Sequence, residues 1–322
     1  MPSGEGVTEI VGVSEPPLDE TMGGRKMAVV LGVDRPLGRV MVDTLLAESR
    51  EVRAVYLDRK AAEGGAIPGT QTIVIDPAEA FNFTEACTGA DVVYDCYEPN
   101  YSDWKQVWPQ VSSNVVLAAI DVGATLIFAS HLLRSESDNE RQEAEVLRAN
   151  SSGLVKTVVA RLPQLTGVRV LNPLWKLIYN SVLAGKKAHW IGNPDVPRSL
   201  LDVEDAARAM MALAETPQLG GRTLGIASPS SITGRQFIEL AFEGVGRKPN
   251  VGSWGRGIVL TGGLLASDAR EVLKMPYDYY SPFELNGKGF AEAVPTFNFT
   301  PSENSIFKGI QWYRDQALGA EH

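Results

Sequence analysis

Histidine and cysteine are both scarce in this chain of 322 residues, with three of the first and two of the second. Cys87 and Cys96 are too few and too close in sequence to build a metal cage, so no metal site is expected. A chain of this length buries enough surface to fold without disulfide staples, and two cysteines suit a reducing, cytoplasmic setting. No apolar run approaches the roughly 20 residues that a membrane-spanning helix needs, so no membrane partner is expected. The N-terminus, MPSGEGVTEIVGVSEPPLDE, lacks the charged-then-apolar order of a secretory signal. Positive charge is also short: 30 Lys and Arg stand against 39 Asp and Glu, a formal net charge of −9. An acidic chain without a basic stripe is a poor ligand for nucleic acid, so none is expected as a partner.

What is present is an alternation of apolar strands and amphipathic helices. Residues 1–24 read as a flexible tail. Met27 to Leu31 is an apolar run suited to a strand buried on both faces. A glycine loop follows, and then Leu37, Val40, Met41 and Leu45 recur at helical spacing. Further strands are expected at Val52–Leu57, Thr72–Ile75, Asp91–Tyr94, Thr125–Phe128 and Val155–Ala160. Helices are expected at Trp104–Val122, with a break near Pro109, and at Asp138–Ala149. This rhythm predicts an α/β fold with a doubly wound parallel sheet. Its first domain is expected to span 25–167 and, with a glycine loop between its first strand and helix, to bind a dinucleotide. Beyond it, prolines and glycines interrupt the pattern, and 168–322 reads as a smaller C-terminal substrate-binding lobe that adds strands to the sheet.

The loop after the first strand is Gly32-Val-Asp34-Arg35-Pro-Leu37-Gly38. In a dinucleotide loop the first glycine makes the tight turn, the second admits the pyrophosphate, and the third lets helix and strand pack closely. Gly32 and Gly38 suit the first and third duties. Arg35 stands at the second, where it either adds a guanidinium to the phosphates or fills the space they need. The helix start offers free N–H groups to an anion in both cases. Asp58 closes the second strand, where a carboxylate binds the ribose hydroxyls of NAD or simply caps a turn. Arg59 beside it leaves NADP possible. Asp76 ends the third strand, as a contact to the adenine edge or as a turn former before Pro77.

The chain resembles the extended short-chain dehydrogenase/reductase family, in its NAD-dependent epimerase/dehydratase branch. The resemblance runs over roughly residues 26–317. It is carried by the glycine loop, by ADVVYDCYEPNYSDW, SSNVVLAAIDVGATLIFAS, Arg161-Leu-Pro and LNPLWKLIYNSVLAGK, and above all by WIGNPDVPRSLLDVEDAARAM. It implies a Rossmann fold, NAD as cofactor, a small-molecule substrate and a homodimer built on the helices at 104–122 and 138–149. The family works with a Tyr-x-x-x-Lys pair and a Ser or Thr. Spacing from Ala144-Glu145 puts Ser137 at the tyrosine position and Arg141 at the lysine position, so the pair is absent. Ser137 with Glu140 also spells a capping box, a structural reason for the serine. The hydroxyl position falls at Ser130 or His131.

These departures direct attention to substitute chemistry. His131 follows the fifth strand, at the end of the sheet where such folds bind ligands, and imidazole suits proton transfer near neutral pH. Ser130 either hydrogen-bonds a substrate oxygen or caps the strand. Tyr101, in a second Tyr-x-x-x-Lys string ending at Lys105, and Tyr97 and Cys96 lie after the fourth strand on the cofactor side. Glu98, Asn172, Trp190, Tyr279 and Tyr280 are the candidates for the substrate lobe. The expected function is that of an NAD(P)-dependent oxidoreductase or epimerase-like enzyme acting on a small polar or sugar-like substrate with non-standard acid/base residues. A non-redox lyase or isomerase and a nucleotide-sensing non-enzymatic protein are the alternatives.

Overall fold

The computed structural model describes residues 27–98, 104–131, 136–255 and 279–319. Their contacts form two compact units. The first holds the described residues up to Ser130, Glu140–Ala160 and Met210–Thr223; the second holds His131–Asn139, Arg161–Ala209 and the described residues from Leu224 onward.

The first half of the chain alternates as its apolar rhythm requires: β1 (Met27–Leu31), α1 (Pro36–Ala47), β2 (Glu51–Tyr56), β3 (Gln71–Val74), α2 (Ala80–Cys87), β4 (Val92–Asp95), α3 (Trp104–Val122), β5 (Thr125–His131), α4 (Glu136–Ser151) and β6 (Thr157–Leu162). The expected strands all form, within a residue or two at most ends. Three details differ from the sequence reading. The short helix α2 was not anticipated. α3 runs through Pro109 without a break. α4 is already under way at Glu136, so Ser137 lies inside its first turn and not at the cap that a Ser137–Glu140 capping box requires.

A seven-stranded sheet runs β11-β6-β5-β4-β1-β2-β3, with β11 at Arg222–Gly225. The pairs β1–β2, β2–β3, β1–β4 and β4–β5 are all parallel. Strand order reverses between β1 and β4, and such a switch point opens a crevice at the carboxyl ends of the strands. β1 is buried along almost its whole length, with Val29, Val30 and Leu31 fully covered.

The second unit contains β7 (Gln164–Thr166), α5 (Pro173–Leu183), β8 (Ala188–Ile191), β9 (Pro197–Arg198), β10 (Leu200–Asp202), β12 (Ile232–Thr233), α7 (Gly234–Glu243), β13 (Val251–Trp254), α8 (Lys288–Ala293) and α9 (Ser302–Gly319). The helix α6 (Val203–Ala214) follows β10. β7 pairs with β10 and β8 with β13, both parallel, while β9 and β12 are antiparallel. An aromatic core holds this unit: Trp175 stacks on Phe237 at 4.2 Å, and Trp190 meets Tyr279 edge-on at 5.6 Å. α7 begins with a reciprocal cap, in which Thr233 Oγ1 accepts from the Gln236 amide at 3.2 Å and Gln236 Oε1 accepts from the Thr233 amide at 2.8 Å. Removing that hydroxyl in Thr233→Ala is expected to cost about 1 kcal/mol of stability. Thr233→Ser should retain most of it, as read by thermal unfolding.

Candidate functional site

The β1–α1 loop turns on two glycines. Gly32 has φ +78°, a left-handed conformation that favours glycine, and a Cβ there would stand 2.6 Å from the Tyr97 Cα. A Cβ at Gly38 would stand 2.2 Å from the Gly32 carbonyl oxygen. The loop and the first turn of α1 therefore touch backbone to backbone, as the first and third duties of a dinucleotide loop demand. The Gly32 amide donates to Val55 O at 3.0 Å, and the Cys96 amide to Leu31 O at 3.1 Å, so the loop is anchored to both neighbouring strands.

Arg35 is the N-cap residue of α1, with φ −103° and ψ 153°, and its side chain makes no cap bond. That extended conformation needs no glycine, which is why an arginine fits the position without strain. Its Nε lies 3.1 Å from Asp34 Oδ2, and its guanidinium carbon lies 5.7 Å from the centre of the Tyr97 ring. Burial pushes the Tyr97 pKa up, and the same guanidinium opposes it with a smaller downward pull. Arg35 thus bridges the β1–α1 loop and the end of β4. The Asp34 carboxylate is almost fully buried, and its Oδ1 accepts from the Leu57 amide at 3.4 Å. Burial pushes its pKa up, against the opposing pull of Arg35 and the Leu57 amide, while Asp58 adds a smaller push in the same direction as burial.

Asp58 is exposed, and its Oδ1 accepts from the Lys60 amide at 2.8 Å. It therefore caps a turn with one oxygen. Asp76 Oδ1 accepts from the Ala78 amide at 2.9 Å, which is the turn-forming role. Arg59 is exposed, whereas Leu37 and Cys96 are buried, the thiol of Cys96 with its pKa pushed well up by burial and by Asp95. Glu98 is half-buried at the last described residue of its loop.

Sequence reasoning passed over Asp95. This carboxyl closes β4, is 2% exposed, and accepts the Tyr97 amide at 3.1 Å, which folds the turn that sets Tyr97 against Gly32. Burial raises its pKa to about 7, although the Tyr97 amide pulls the other way.

The hydroxyl position is also occupied differently from either sequence expectation. Ser130 is fully buried, and its Oγ donates to Glu143 Oε1 at 2.6 Å. Its proton is directed to a protein carboxyl. Glu143 escaped notice inside a charged helix, yet Glu143, Val146, Ala149 and Asn150 recur at the helical period of a covered face, with Asn150 only half-covered. Arg141 is exposed. His131 closes β5 and Ser137 lies in α4, but the side chains of both, and Tyr101 as a whole, lie outside the described residues.

In the second unit, Trp190 and Tyr279 come together, and two further residues join them. Gln164 Nε2 donates to Tyr279 Oη at 2.9 Å, and the Arg198 guanidinium, in a residue 3% exposed, lies 4.9 Å over the Tyr279 ring. Tyr280 is half-buried beside them in sequence. Asn172 has a structural duty toward the backbone. It is the N-cap of α5, with Oδ1 accepting from the amides of Leu174 and Trp175 at 2.9 and 3.3 Å. The signal for that role, an asparagine directly before Pro173, was present in the sequence.

No family model matches the chain, and no curated protein matches it in sequence. Solved structures do match. WbmH of Bordetella bronchiseptica, in complex with NAD+, is 15% identical with a TM-score of 0.69 over 91% of this chain and 99% of its own. The dTDP-glucose 4,6-dehydratase DesIV of Streptomyces venezuelae, with NAD bound, is 14% identical with a TM-score of 0.70 over 90% and 97%. The UDP-N-acetylglucosamine 4-epimerase of Bacillus cereus is 13% identical with a TM-score of 0.70 over the same shares. The chain shares their fold, an α/β architecture with a Rossmann-type sheet.

Two outcomes follow from this geometry. Asp95 keeps its proton in the folded state up to about pH 7, whereas in the unfolded chain it ionises near its ordinary value of 3.8. Between those values the unfolded state binds fewer protons. Stability should therefore fall as pH rises through that window, by on the order of 4 kcal/mol, and level off above it. Asp34 contributes in the same direction. Denaturant unfolding across this range should show the slope, and Asp95→Asn should flatten most of it. Gly38→Ala, which drives a methyl into the Gly32 carbonyl, should destabilise the first unit by several kcal/mol, at or beyond the usual 1–3 kcal/mol of an overpacked core.

Proposed function

We propose that this chain is an NAD(H)-dependent enzyme of the oxidoreductase or epimerase type, acting on a small polar or sugar-like substrate. The observation that carries this reading is the backbone contact between Gly38 and Gly32 at the start of α1, beside the point where strand order reverses. It provides the close strand–helix approach and the free helical N–H groups that a dinucleotide's pyrophosphate needs. Gly32, Gly38 and the first-turn amides of α1 would hold the pyrophosphate, and Asp58, with its second oxygen, the adenosine ribose. The cofactor, when bound, supplies a hydride acceptor or donor. Asp58 would put a carboxylate at the ribose position, which favours NAD over the additional phosphate of NADP.

The chain's own contribution to the reaction is proton handling. Ser130 donates its hydrogen bond to Glu143, so the acid/base duty passes to His131, the last residue of β5. Tyr279, with Gln164 on its hydroxyl and Arg198 over its ring, serves the substrate lobe. The same Ser130–Glu143 bond favours a second reading, a nucleotide-sensing protein that binds cofactor without turnover, because it removes the hydroxyl that orients substrate. We read the chain as a cytoplasmic homodimer through α3 and α4, where Leu117 is half exposed on α3.

Titration with NAD and NADP, followed by tryptophan fluorescence, tests the cofactor assignment. NAD should bind more tightly than NADP, and absence of binding by both would end this reading and the sensing one. Incubation of the NAD-loaded protein with sugar nucleotides and simple alcohols then separates them. In an enzyme, His131→Ala should lower turnover by about 100-fold or more with NAD affinity unchanged. Binding without any turnover across the panel would favour sensing.

A further inference from the structure

The Arg35 side chain stands at the N-cap of α1 already engaged. It carries the ion pair to Asp34 at 3.1 Å and lies over Tyr97 at 5.7 Å. A pyrophosphate held at the first turn of α1 brings negative charge to the same helix end. Arg35 is the cation of that loop, and its single positive charge cannot neutralise a buried carboxylate and the two charges of a pyrophosphate together. Taking the cofactor assignment above as its premise, we propose that Asp34 and the dinucleotide's pyrophosphate compete for Arg35, so that cofactor binding pulls Arg35 from Asp34 and leaves Asp34 to take up a proton from solvent.

The surroundings of Asp34 support the second half of that exchange. Its carboxylate is buried, with a side-chain exposure of 3%. The charged and titratable groups around it are Arg35 on its own loop, Asp58 after β2 and Tyr97 after β4; its one backbone donor from outside the loop is the Leu57 amide at 3.4 Å. Of these only Arg35 is a cation, and Asp58 opposes ionisation. Burial holds Asp34 above the usual carboxylate range even with Arg35 in place. When Arg35 turns to phosphate, the carboxylate loses its one counter-charge among the described residues while its burial and its acidic neighbour persist, and protonation is the inexpensive way to neutralise it. Arg35 in this account is neither a plug nor a lost glycine. It is the phosphate-binding residue of the site, restrained by its neighbour until the ligand arrives.

Isothermal calorimetry of NAD binding to the full chain, in two buffers of different ionisation enthalpy, measures the protons taken up. The wild-type protein is expected to take up a fraction of a proton, up to one, on binding NAD. Its Kd should rise with pH by a factor that approaches but does not exceed about tenfold per pH unit, the limit for one linked proton. Asp34→Asn should bind NAD more tightly, with no uptake and little pH dependence. Arg35→Ala should bind more weakly, also without uptake, because nothing then changes around Asp34. NAD binding with no proton uptake and a pH-independent Kd would overturn the exchange and leave the cofactor assignment standing. Uptake that persists in Asp34→Asn, or tighter binding by Arg35→Ala, would overturn it as well. If the wild type and both variants fail to bind NAD, the cofactor assignment falls and the exchange falls with it. If Asp34→Asn does not fold, Asp34→Ser replaces it in the same comparison, and absence of uptake in the wild type overturns the exchange whatever the variants do.

Discussion

Everything proposed for the first unit rests on a contact between two backbones. With no side chain at position 38, the first turn of α1 sits directly on the carbonyl of Gly32, and with none at position 32, the loop sits directly on Tyr97. A single methyl at either place would push the helix start away from the strand ends. The direction of the helix axis, the exposure of its first amides and the approach of the β4 loop are all consequences of that missing volume. Position 35 is under no such constraint, since its φ of −103° is open to any residue. The tolerance of the loop for an arginine and its intolerance of alanine at 38 have the same geometric origin.

Among its described residues the first unit also buries three carboxyl groups and settles each in a different way. Asp34 is given a cation, Asp95 retains a proton near neutrality, and Glu143 receives the hydroxyl of Ser130. Two of the three meet at Tyr97: Asp34, from within the nucleotide loop, by way of Arg35, and Asp95 by folding the turn that carries Tyr97. Electrostatics and loop shape are therefore coupled at this end of the sheet.

The sheet was legible in the sequence because a parallel strand covered on both faces leaves an unbroken apolar run, as MAVVL does. The duties of Gly32 and Gly38 were legible too, because backbone contacts demand glycine whatever surrounds them. Helix α2 was missed because AFNFTEAC is short and follows a proline turn, with too few periods to show a face. Asp95 and Glu143 were missed for another reason. Charge in a sequence reads as solvated surface, and only the fold reveals that these two positions point inward. Asn172 was assigned to substrate although its place before Pro173 already spelled a helix cap. The bridge from Arg35 to Tyr97 joins residues far apart in sequence and could not be found by any local pattern.

The bond between Ser130 and Glu143 also ties the end of β5 to the middle of α4. A hydrogen bond between two buried side chains holds only over a narrow range of separations, so neither element can slide along the other by a residue without breaking it. A single hydroxyl thereby pins the register between a strand and the helix that covers it.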